Sequence, residues 1–441
     1  MKKWLCVLAL LASGCIAAAP KPPIVVTPPA PVVIDDPTFP QQCDDIWQQE
    51  LGRHVDPDGL AGCLVQFRRG DGGGAVRAIV HDSPEGVQHR ADLEEAKRVT
   101  KYPALTDDGP TFRSGGEPWR WKGVSQFKLA SQFEHGQIAE IDAILAAFKG
   151  YTVLRVWDYT NAADGWDGVN GHATAWESTP ADVWVKFLAY VGKQGFRVEI
   201  TLLTDGNPDR IEPAKRLVAA LVAANVTNVM LEAGNEPTTH KNINTAALRS
   251  TLEQSGFPYT SGDYEDVSRF YGTYGVVHTD RDSDWPRRAH DVLTFYSGDF
   301  GADRPAGWVG VPFVCDEPGK HEDVGTDPRD WRAYFATCAL LGGGGTFHFK
   351  SALYGNPPTD LERSLASIAL DAMNVFPADA AHGRYSRPDD ASLRTYVVGG
   401  YAVRIRPTTP NGPFSGTPLD GDGILWRLSS LQTVRKQNSP R

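Results

Sequence analysis

Two acidic side chains follow predicted strands that lie far apart in the chain. Glu236 follows the apolar segment TNVMLEA within the sequence LEAGNEP, between Asn235 and Pro237. Glu317 follows the segment VPFVCD within the sequence FVCDEPGK. One carboxylic acid and one carboxylate that face each other across a pocket can protonate a departing oxygen and attack the carbon that it leaves. These residue types at strand ends therefore predict paired acid/base and nucleophilic chemistry.

The segments around these residues alternate between strand-like and helix-like patterns from residue 103 to 378, which predicts a parallel sheet with helical crossovers. The predicted strands are 119–127, 152–158, 197–204, 227–233, 257–261, 274–279, 311–316 and 344–349. A doubly wound open sheet usually has a Gly-rich phosphate turn after its first strand, and GVSQFKLA is not one. The sequence therefore predicts an α/β protein with a (β/α)8 TIM barrel, whose active site lies at the C-terminal ends of the strands.

In such a barrel the fourth and seventh strands face each other, so Glu236 and Glu317 are expected to converge. Hydrolysis of a glycosidic bond needs such a pair, and a separation of about 5 to 5.5 Å makes the reaction retaining through a covalent glycosyl intermediate. Asp316 is the rival nucleophile. Because adjacent strand residues point to opposite faces, only one of Asp316 and Glu317 is expected to face the substrate.

Residues 110 to 375 resemble the large clan of (β/α)8 retaining glycoside hydrolases that includes many cellulases, mannanases and β-glucosidases. In that clan Asn-Glu-Pro ends the fourth strand and a second Glu ends the seventh. The resemblance implies that Glu236 is the acid/base, that Glu317 is the nucleophile and that Asn235 binds the sugar 2-hydroxyl. The chain departs from the clan pattern in Glu-Pro-Gly after the seventh strand and in Phe-His-Phe, where Trp is usual, in the eighth.

Three further residues are substrate-site candidates through the same resemblance. Arg155 in VLRVWDY matches an arginine that orients the nucleophile, Trp157 lies just beyond it, and His278 in YGVVHTDRD lies where the clan often has a His or Tyr. Each also has a structural interpretation. Arg155 could form an ion pair inside the barrel, His278 could be a hydrogen-bonded core residue, and Trp157 could pack a loop.

The N-terminal residues predict export. Lys2 and Lys3 precede an apolar run and then Ser13-Gly14-Cys15, which is similar to a bacterial lipoprotein cleavage site. Residues 1–19 are therefore predicted to be a signal peptide in which Cys15 carries lipid. Cleavage near residues 17–19 is the competing interpretation. The protein is expected in the cell envelope or secreted.

Smaller units flank the barrel (103–378). Residues 20–40 are rich in proline and predict an extended linker. Residues 41–98 predict a module of three short helices, and its ELGR, DPDGL and SPE segments resemble a small helical module of unknown function in bacterial secreted and surface proteins. Residues 384–430 predict a small antiparallel β unit.

The cysteines fit an exported chain without defining a disulfide scaffold. Cys43 and Cys63 flank one helical segment, and both the bonded and the free state stay open. Cys315 and Cys338 are expected to be buried free thiols. No His or Cys spacing predicts a metal site.

The whole-chain charge limits the partners. A formal net charge of -10 over 441 residues argues against nucleic acid. We expect a monomer that needs no cofactor, meets the membrane only through its N-terminal lipid, and hydrolyses β-glycosidic bonds in an extracellular or envelope poly- or oligosaccharide. The alternatives are a catalytically inactive carbohydrate-binding or scaffold lipoprotein, and an envelope structural protein in which the helical module is the working part.

Overall fold

A computed structural model describes residues 36–51, 54–70, 72–99, 102–109, 111–161, 176–204, 207–237, 243–262, 270–278, 311–317, 328–341, 343–380, 385–386, 395–398, 400–404, 416–421 and 423–428. The α-helices are α1 (Phe39–Leu51), α2 (Pro57–Arg68), α3 (Gly73–His81), α4 (Pro84–Val99), α5 (Leu129–Glu134), α6 (Ile138–Ala147), α7 (Ala181–Lys193), α8 (Ile211–Ala223), α9 (Arg249–Ser255), α10 (Pro328–Leu341), α11 (Lys350–Leu353) and α12 (Asp360–Asn374). The strands are β1 (Leu105–Asp108), β2 (Thr111–Ser114), β3 (Glu117–Trp119), β4 (Trp121–Ser125), β5 (Val153–Trp157), β6 (Tyr159–Asn161), β7 (Trp176–Ser178), β8 (Arg197–Thr201), β9 (Val229–Glu232), β10 (Tyr259–Thr260), β11 (Gly275–His278), β12 (Phe313–Glu317), β13 (Gly344–Phe347), β14 (Tyr385–Ser386), β15 (Thr395–Val398), β16 (Tyr401–Arg404), β17 (Gly416–Pro418) and β18 (Leu425–Leu428). Within these ranges no helix is both long enough and apolar enough to span a lipid bilayer.

Eight strands form one parallel sheet in the order β10-β9-β8-β5-β4-β13-β12-β11. In chain order the barrel strands are β4, β5, β8, β9, β10, β11, β12 and β13, and the first of them pairs with the last. The described residues leave the sheet open only between β10 and β11, which lie at its two ends. The predicted (β/α)8 fold is confirmed.

The strands form because both of their faces are covered. Every residue of β5, β8 and β9 is buried, as expected for parallel strands between helices and a filled barrel interior. Leu154 and Val156 of β5 belong to the core beneath the helices. Arg155 lies between them in sequence, and because side chains alternate along a strand it points into the barrel.

A three-stranded antiparallel sheet of β1, β2 and β3 precedes the barrel and was not predicted from the sequence. Phe112 of β2 and Trp119 of β3 pack against Trp121, which begins the first barrel strand, and against Tyr274, which precedes β11. These contacts lie at the N-terminal ends of the barrel strands. The opposite end, where the strands terminate, is left for a functional site.

The N-terminal module has four helices, α1 to α4, so the prediction of three was wrong by one. Cys43 of α1 and Cys63 of α2 form a disulfide with a Cα–Cα distance of 6.1 Å, which decides the question that the sequence left open. The module has its own small apolar core. Its last helix, α4, packs against α7 of the barrel.

A second disulfide corrects the sequence-based expectation of free thiols. Cys315 of β12 and Cys338 of α10 are bonded, with a Cα–Cα distance of 6.0 Å. The bond became possible because α10 packs directly on the strand, a tertiary contact that sequence spacing does not show. The five C-terminal strands form the predicted antiparallel sheet in the order β14-β15-β16-β18-β17, and β16 packs against α10.

Candidate active site

Arg155 lies inside the barrel among carboxylates from three other strands. Its Nε atom is 2.6 Å from Asp316 Oδ2 and 3.8 Å from Glu199 Oε2, and its Nη2 atom is 2.8 Å from Glu232 Oε2. All four side chains are 0% exposed. Because an uncompensated buried charge is costly, one guanidinium cannot keep three carboxylates ionised, and at least one of them must retain a proton.

The pKa shifts show which carboxyl group holds the proton. Burial, together with the neighbouring Asp316 and Glu232, raises the pKa of Glu199 well above its usual value. Burial alone would raise the pKa of Asp316 too, but Arg155 and His278 hold it below its usual value. Burial raises the pKa of Glu232 against the effect of Arg155. Of the three carboxyl groups, Asp316 is therefore the one that Arg155 most favours in the ionised form, and Glu199 is the one that most readily keeps its proton.

Tyr274 fixes the orientation of Glu199. Its hydroxyl donates to Glu199 Oε1 at 2.7 Å, and its ring is 0% exposed. Glu232 is oriented in a similar way, by donation from Thr201 Oγ1 to Glu232 Oε2 at 2.5 Å. Arg155, Glu199, Glu232, Tyr274 and Asp316 thus form the lower layer of the site, a buried network of hydrogen bonds and ion pairs.

Asn235 and Glu236, which follow β9, and His278, which ends β11, form the upper layer of the site. Arg155 Nη2 donates to Asn235 Oδ1 at 2.9 Å. The imidazole of His278 has Nε2 at 3.5 Å from Asp316 Oδ2 and Nδ1 at 3.3 Å from Glu236 Oε1. The side chain of Glu236 is 18% exposed, whereas that of His278 is 4% exposed. Glu236 is therefore the carboxylate of this network that a molecule arriving from solvent can reach.

The backbone at Glu236 adopts an unusual conformation. Its φ is +45°, and among the described non-glycine residues only Asn225 shares a positive φ. Asn tolerates the left-handed region, but Glu does not favour it, and the following Pro237 restricts the backbone further. Such strain persists where the surrounding structure imposes it, and it concentrates at functional sites.

The structure brings four of the sequence-predicted residues together: Arg155, Asn235, Glu236 and His278. The backbone of Glu317 ends β12 in register with His278. Its side chain lies outside the described part of the chain, so the Glu236–Glu317 separation remains a prediction. The pairing of β11 with β12 shifts register between Val277 and His278, so strand alternation cannot decide the direction of Glu317 at this point.

Trp157 does not offer an exposed ring to a ligand. It is 3% exposed and stacks on Phe127 with 3.9 Å between ring centroids. Leu353 completes this small apolar cluster. In this conformation Trp157 packs the rim of the barrel, which was the structural interpretation of its pattern.

Sequence reasoning missed Glu199, Glu232 and Tyr274 as parts of the site. The available signal was an acidic residue within a predicted barrel strand, between Val198 and Ile200 in RVEIT for β8 and at the end of VMLE for β9. A carboxylate at the centre of a strand buried on both faces has to be paired or protonated.

Three of these groups could in principle bind a cation, because ligand atoms of Glu232, His278 and Asp316 lie within 4.8 Å of one another. Arg155 already stands 2.8 Å from Glu232 and 2.6 Å from Asp316. A divalent ion would meet this positive charge at close range, so the donor set fits the arginine better than a metal.

No protein-family model matches the chain, and no curated protein matches it by sequence. Solved structures match its fold. They include a glycoside hydrolase family 5 protein from Bacteroides vulgatus (12% identity, 69% of this chain, 82% of that chain, TM-score 0.43) and an endo-1,4-β-mannanase from Rhizomucor miehei (15% identity, 61% of this chain, 99% of that chain, TM-score 0.40). A β-glucanase from Saccharophagus degradans, solved with cellotetraose, matches at 10% identity over 63% of this chain and 96% of that chain, with a TM-score of 0.43. Across eight such structures the chain spans between 66% and 100% of the neighbour's length. Because these TM-scores are below 0.5, the function of this chain has to be inferred from its own residues.

Proposed function

We propose that this chain is a retaining glycoside hydrolase that cleaves β-glycosidic bonds in a poly- or oligosaccharide. The observation that carries the proposal is the position of Glu236. It is a partly exposed carboxyl group on a strained strand end, and His278 links it to an ionised carboxylate held by Arg155. This group lies at the end of the barrel where such folds place their active sites.

The reaction uses two glutamates. Glu317 attacks the anomeric carbon while Glu236 gives its proton to the leaving oxygen, so that the glycosidic C–O bond breaks and a glycosyl ester forms on Glu317. Glu236 then takes a proton from water, the water oxygen attacks the same carbon, and Glu317 is released as a carboxylate. In the proposed mechanism Asn235, whose Oδ1 accepts a hydrogen bond from Arg155, binds the sugar 2-hydroxyl.

Asp316 is assigned a positioning role in this mechanism. Its carboxylate is 0% exposed and lies against Arg155, whereas a nucleophile has to touch the sugar. Asp316 nevertheless precedes Glu317 directly, so the two acids have to be separated by experiment.

The test is a turnover screen of the full chain against aryl β-glycosides and plant and bacterial polysaccharides. Glu236→Gln and Glu317→Gln should each lower kcat by about 10²-fold or more, whereas the exposed control Glu253→Gln should match wild type. NMR of the first product should show retained anomeric configuration. A 2-fluoro glycoside should label Glu317, and a label on Asp316 would reassign the nucleophile.

The negative outcomes are equally specific. Turnover that survives in both glutamine variants would show that the wrong carboxylates were chosen. Binding of polysaccharide without turnover on any substrate would favour the inactive carbohydrate-binding alternative.

A further inference from the structure

A cleft of about 970 Å³ separates the N-terminal module from the outer side of the barrel. Its module side includes Gln48 and His54, and its barrel side includes residues of α7, Arg216 and Ala220 of α8, and Arg210, which directly precedes α8. Ligand sites of this size occur preferentially where two structural units meet. The cleft reaches Asp158, which directly follows β5, but Arg155, Asn235, Glu236 and His278 are not among its described lining residues, so it is distinct from the Glu236 site.

The helices α4 and α7 pack against each other beside the cleft, and both contribute residues to its lining. His89 of α4 is 6% exposed. Its Nδ1 is 2.6 Å from Lys186 Nζ and its Nε2 is 3.4 Å from Asp182 Oδ2, and both partners lie on α7. Because one wall is supplied by the module, the cleft exists only while the module is docked.

The lining indicates what kind of ligand fits. Two arginines and three aspartates line the cleft, so their formal charges differ by only one, which is too small an excess to select a polyanion or a polycation. Guanidinium groups donate, carboxylates accept, and amides such as that of Gln48 do both. Sugar hydroxyl groups also donate and accept, and therefore match this mixture without a net charge.

Several aliphatic side chains of the cleft lining lie on α8. They include Leu217, Ala220 and Ala223, and no Phe, Tyr or Trp side chain is among the described lining residues. Such aliphatic side chains can pack against the C–H face of a sugar ring through dispersion contacts.

We propose that this cleft is a second saccharide site, which binds a neutral polysaccharide strand at the side of the barrel. That the bound polysaccharide is also the substrate of the barrel rests on the proposed function. In this arrangement the module adds an accessory contact to the polymer, so cleavage of long chains depends on it and cleavage of small glycosides does not.

The first experiment measures binding without cleavage. Full-length Glu236→Gln protein is tested by affinity electrophoresis with glucomannan, mixed-linkage β-glucan and xylan. Adding Ala220→Trp fills the cleft and should weaken binding by about fivefold or more. Ala219→Trp is the matched control, because Ala219 is an exposed residue of the same helix that does not line the cleft, and it should bind like the parent.

The second experiment uses the active protein. Ala220→Trp should lower kcat/KM on the polysaccharide that binds best and leave aryl-glycoside turnover unchanged, whereas Ala219→Trp should affect neither. Equal behaviour of the two tryptophan variants, or no binding of any tested polysaccharide, would overturn the second site. Ala220-dependent binding by a chain that hydrolyses nothing would overturn the hydrolase proposal and leave the second site standing.

Discussion

At the scale of single residues, Arg155 is the group whose removal should disturb the site most. Three buried carboxylates lie within 3.8 Å of its guanidinium. Arg155→Met leaves them without this cation, so the free energy of unfolding should fall by about 3–5 kcal/mol at neutral pH. Urea denaturation measures the change.

The matched control is Arg249→Met. Arg249 pairs with Glu253 on the surface and its side chain is 59% exposed, so this variant should change stability by less than about 1 kcal/mol. Similar losses in the two variants would mean that the buried network does not depend on its arginine. The difference between them should shrink in acid, because the interior carboxylates then take up protons.

The contribution of Glu199 to the free energy of unfolding should decrease as the pH rises. Its pKa is raised in the folded state by burial and by Asp316 and Glu232, so between the unfolded and folded pKa values the folded chain holds a proton that the unfolded chain has lost. Stability from this group is therefore lost as pH rises above the unfolded value. Glu199→Gln cannot ionise and can still accept from Tyr274.

Thermal denaturation from pH 4.5 to 9 tests this. The melting temperature of Glu199→Gln relative to wild type should increase with pH. A difference that stays constant across the range would show that Glu199 does not carry the extra proton.

At the scale of elements, the disulfide between β12 and α10 should stabilise the strand that carries Asp316 and Glu317. Cys315 and Cys338 are 23 residues apart in sequence, and a loop of this size predicts a loss of about 3 kcal/mol when the bond is removed. Calorimetry of Cys315→Ala/Cys338→Ala should show a lower barrel transition. The control, Cys43→Ala/Cys63→Ala, should leave that transition unchanged, because its bond lies in the module.

The stability that His89 contributes to the contact between α4 and α7 should depend on pH. Burial and then Lys186 lower the pKa of His89 to about 4, so stability from neutral His89 is present above about pH 6.5 and is lost as pH falls towards 4. Burial raises the pKa of Asp182 to about 6, which acts in the opposite direction, so the variant has to be compared with wild type. His89→Gln should be less stable at pH 7.5, and its deficit should narrow at pH 4.5. A deficit that widens in acid would contradict this assignment.

The elements also show what a sequence can predict. The barrel strands were predictable because strands such as β5 and β9 are buried on both faces and are largely apolar. The sheet of β1 to β3 was missed because Leu105–Asp108 and Glu117–Trp119 are short, polar and mostly exposed. The bond between Cys315 and Cys338 was missed because it depends on how α10 packs against β12.

The site residues that lie at the ends of strands could be predicted from the sequence. Asn235 and Glu236 belong to one short motif, and Arg155 and His278 were candidates because their strands resemble those of the glycoside hydrolase clan. That Arg155 contacts Glu199, Glu232 and Asp316 depends on the closure of the barrel, which brings residues from four strands to one point. Chain order alone does not give these distances.

At the scale of the whole molecule, the three units connect in a way that their sequence order does not show. The module contacts the barrel through α4 and α7, and the C-terminal sheet contacts it through β16 and α10. The helix α10 therefore contacts both that sheet and β12, the strand that carries Asp316 and Glu317. A change in the C-terminal sheet would therefore reach Glu317, the proposed nucleophile, through α10 and β12.

We predict that Cys15 determines where the protein is held in the cell, because the sequence Ser13-Gly14-Cys15 is similar to a lipoprotein cleavage site. A single acyl chain binds membranes only marginally, whereas the several chains of a bacterial lipoprotein anchor stably. Wild-type protein expressed in a Gram-negative host should therefore enter the detergent phase, and Cys15→Ala should enter the aqueous phase with unchanged aryl-glycoside turnover. Cys6→Ala, within the apolar run of the signal, is the matched control and should behave as wild type. If Cys15→Ala also entered the detergent phase, the lipid would not be on Cys15; if wild type entered the aqueous phase with an N-terminus near residue 20, cleavage near residues 17–19 would be the correct interpretation.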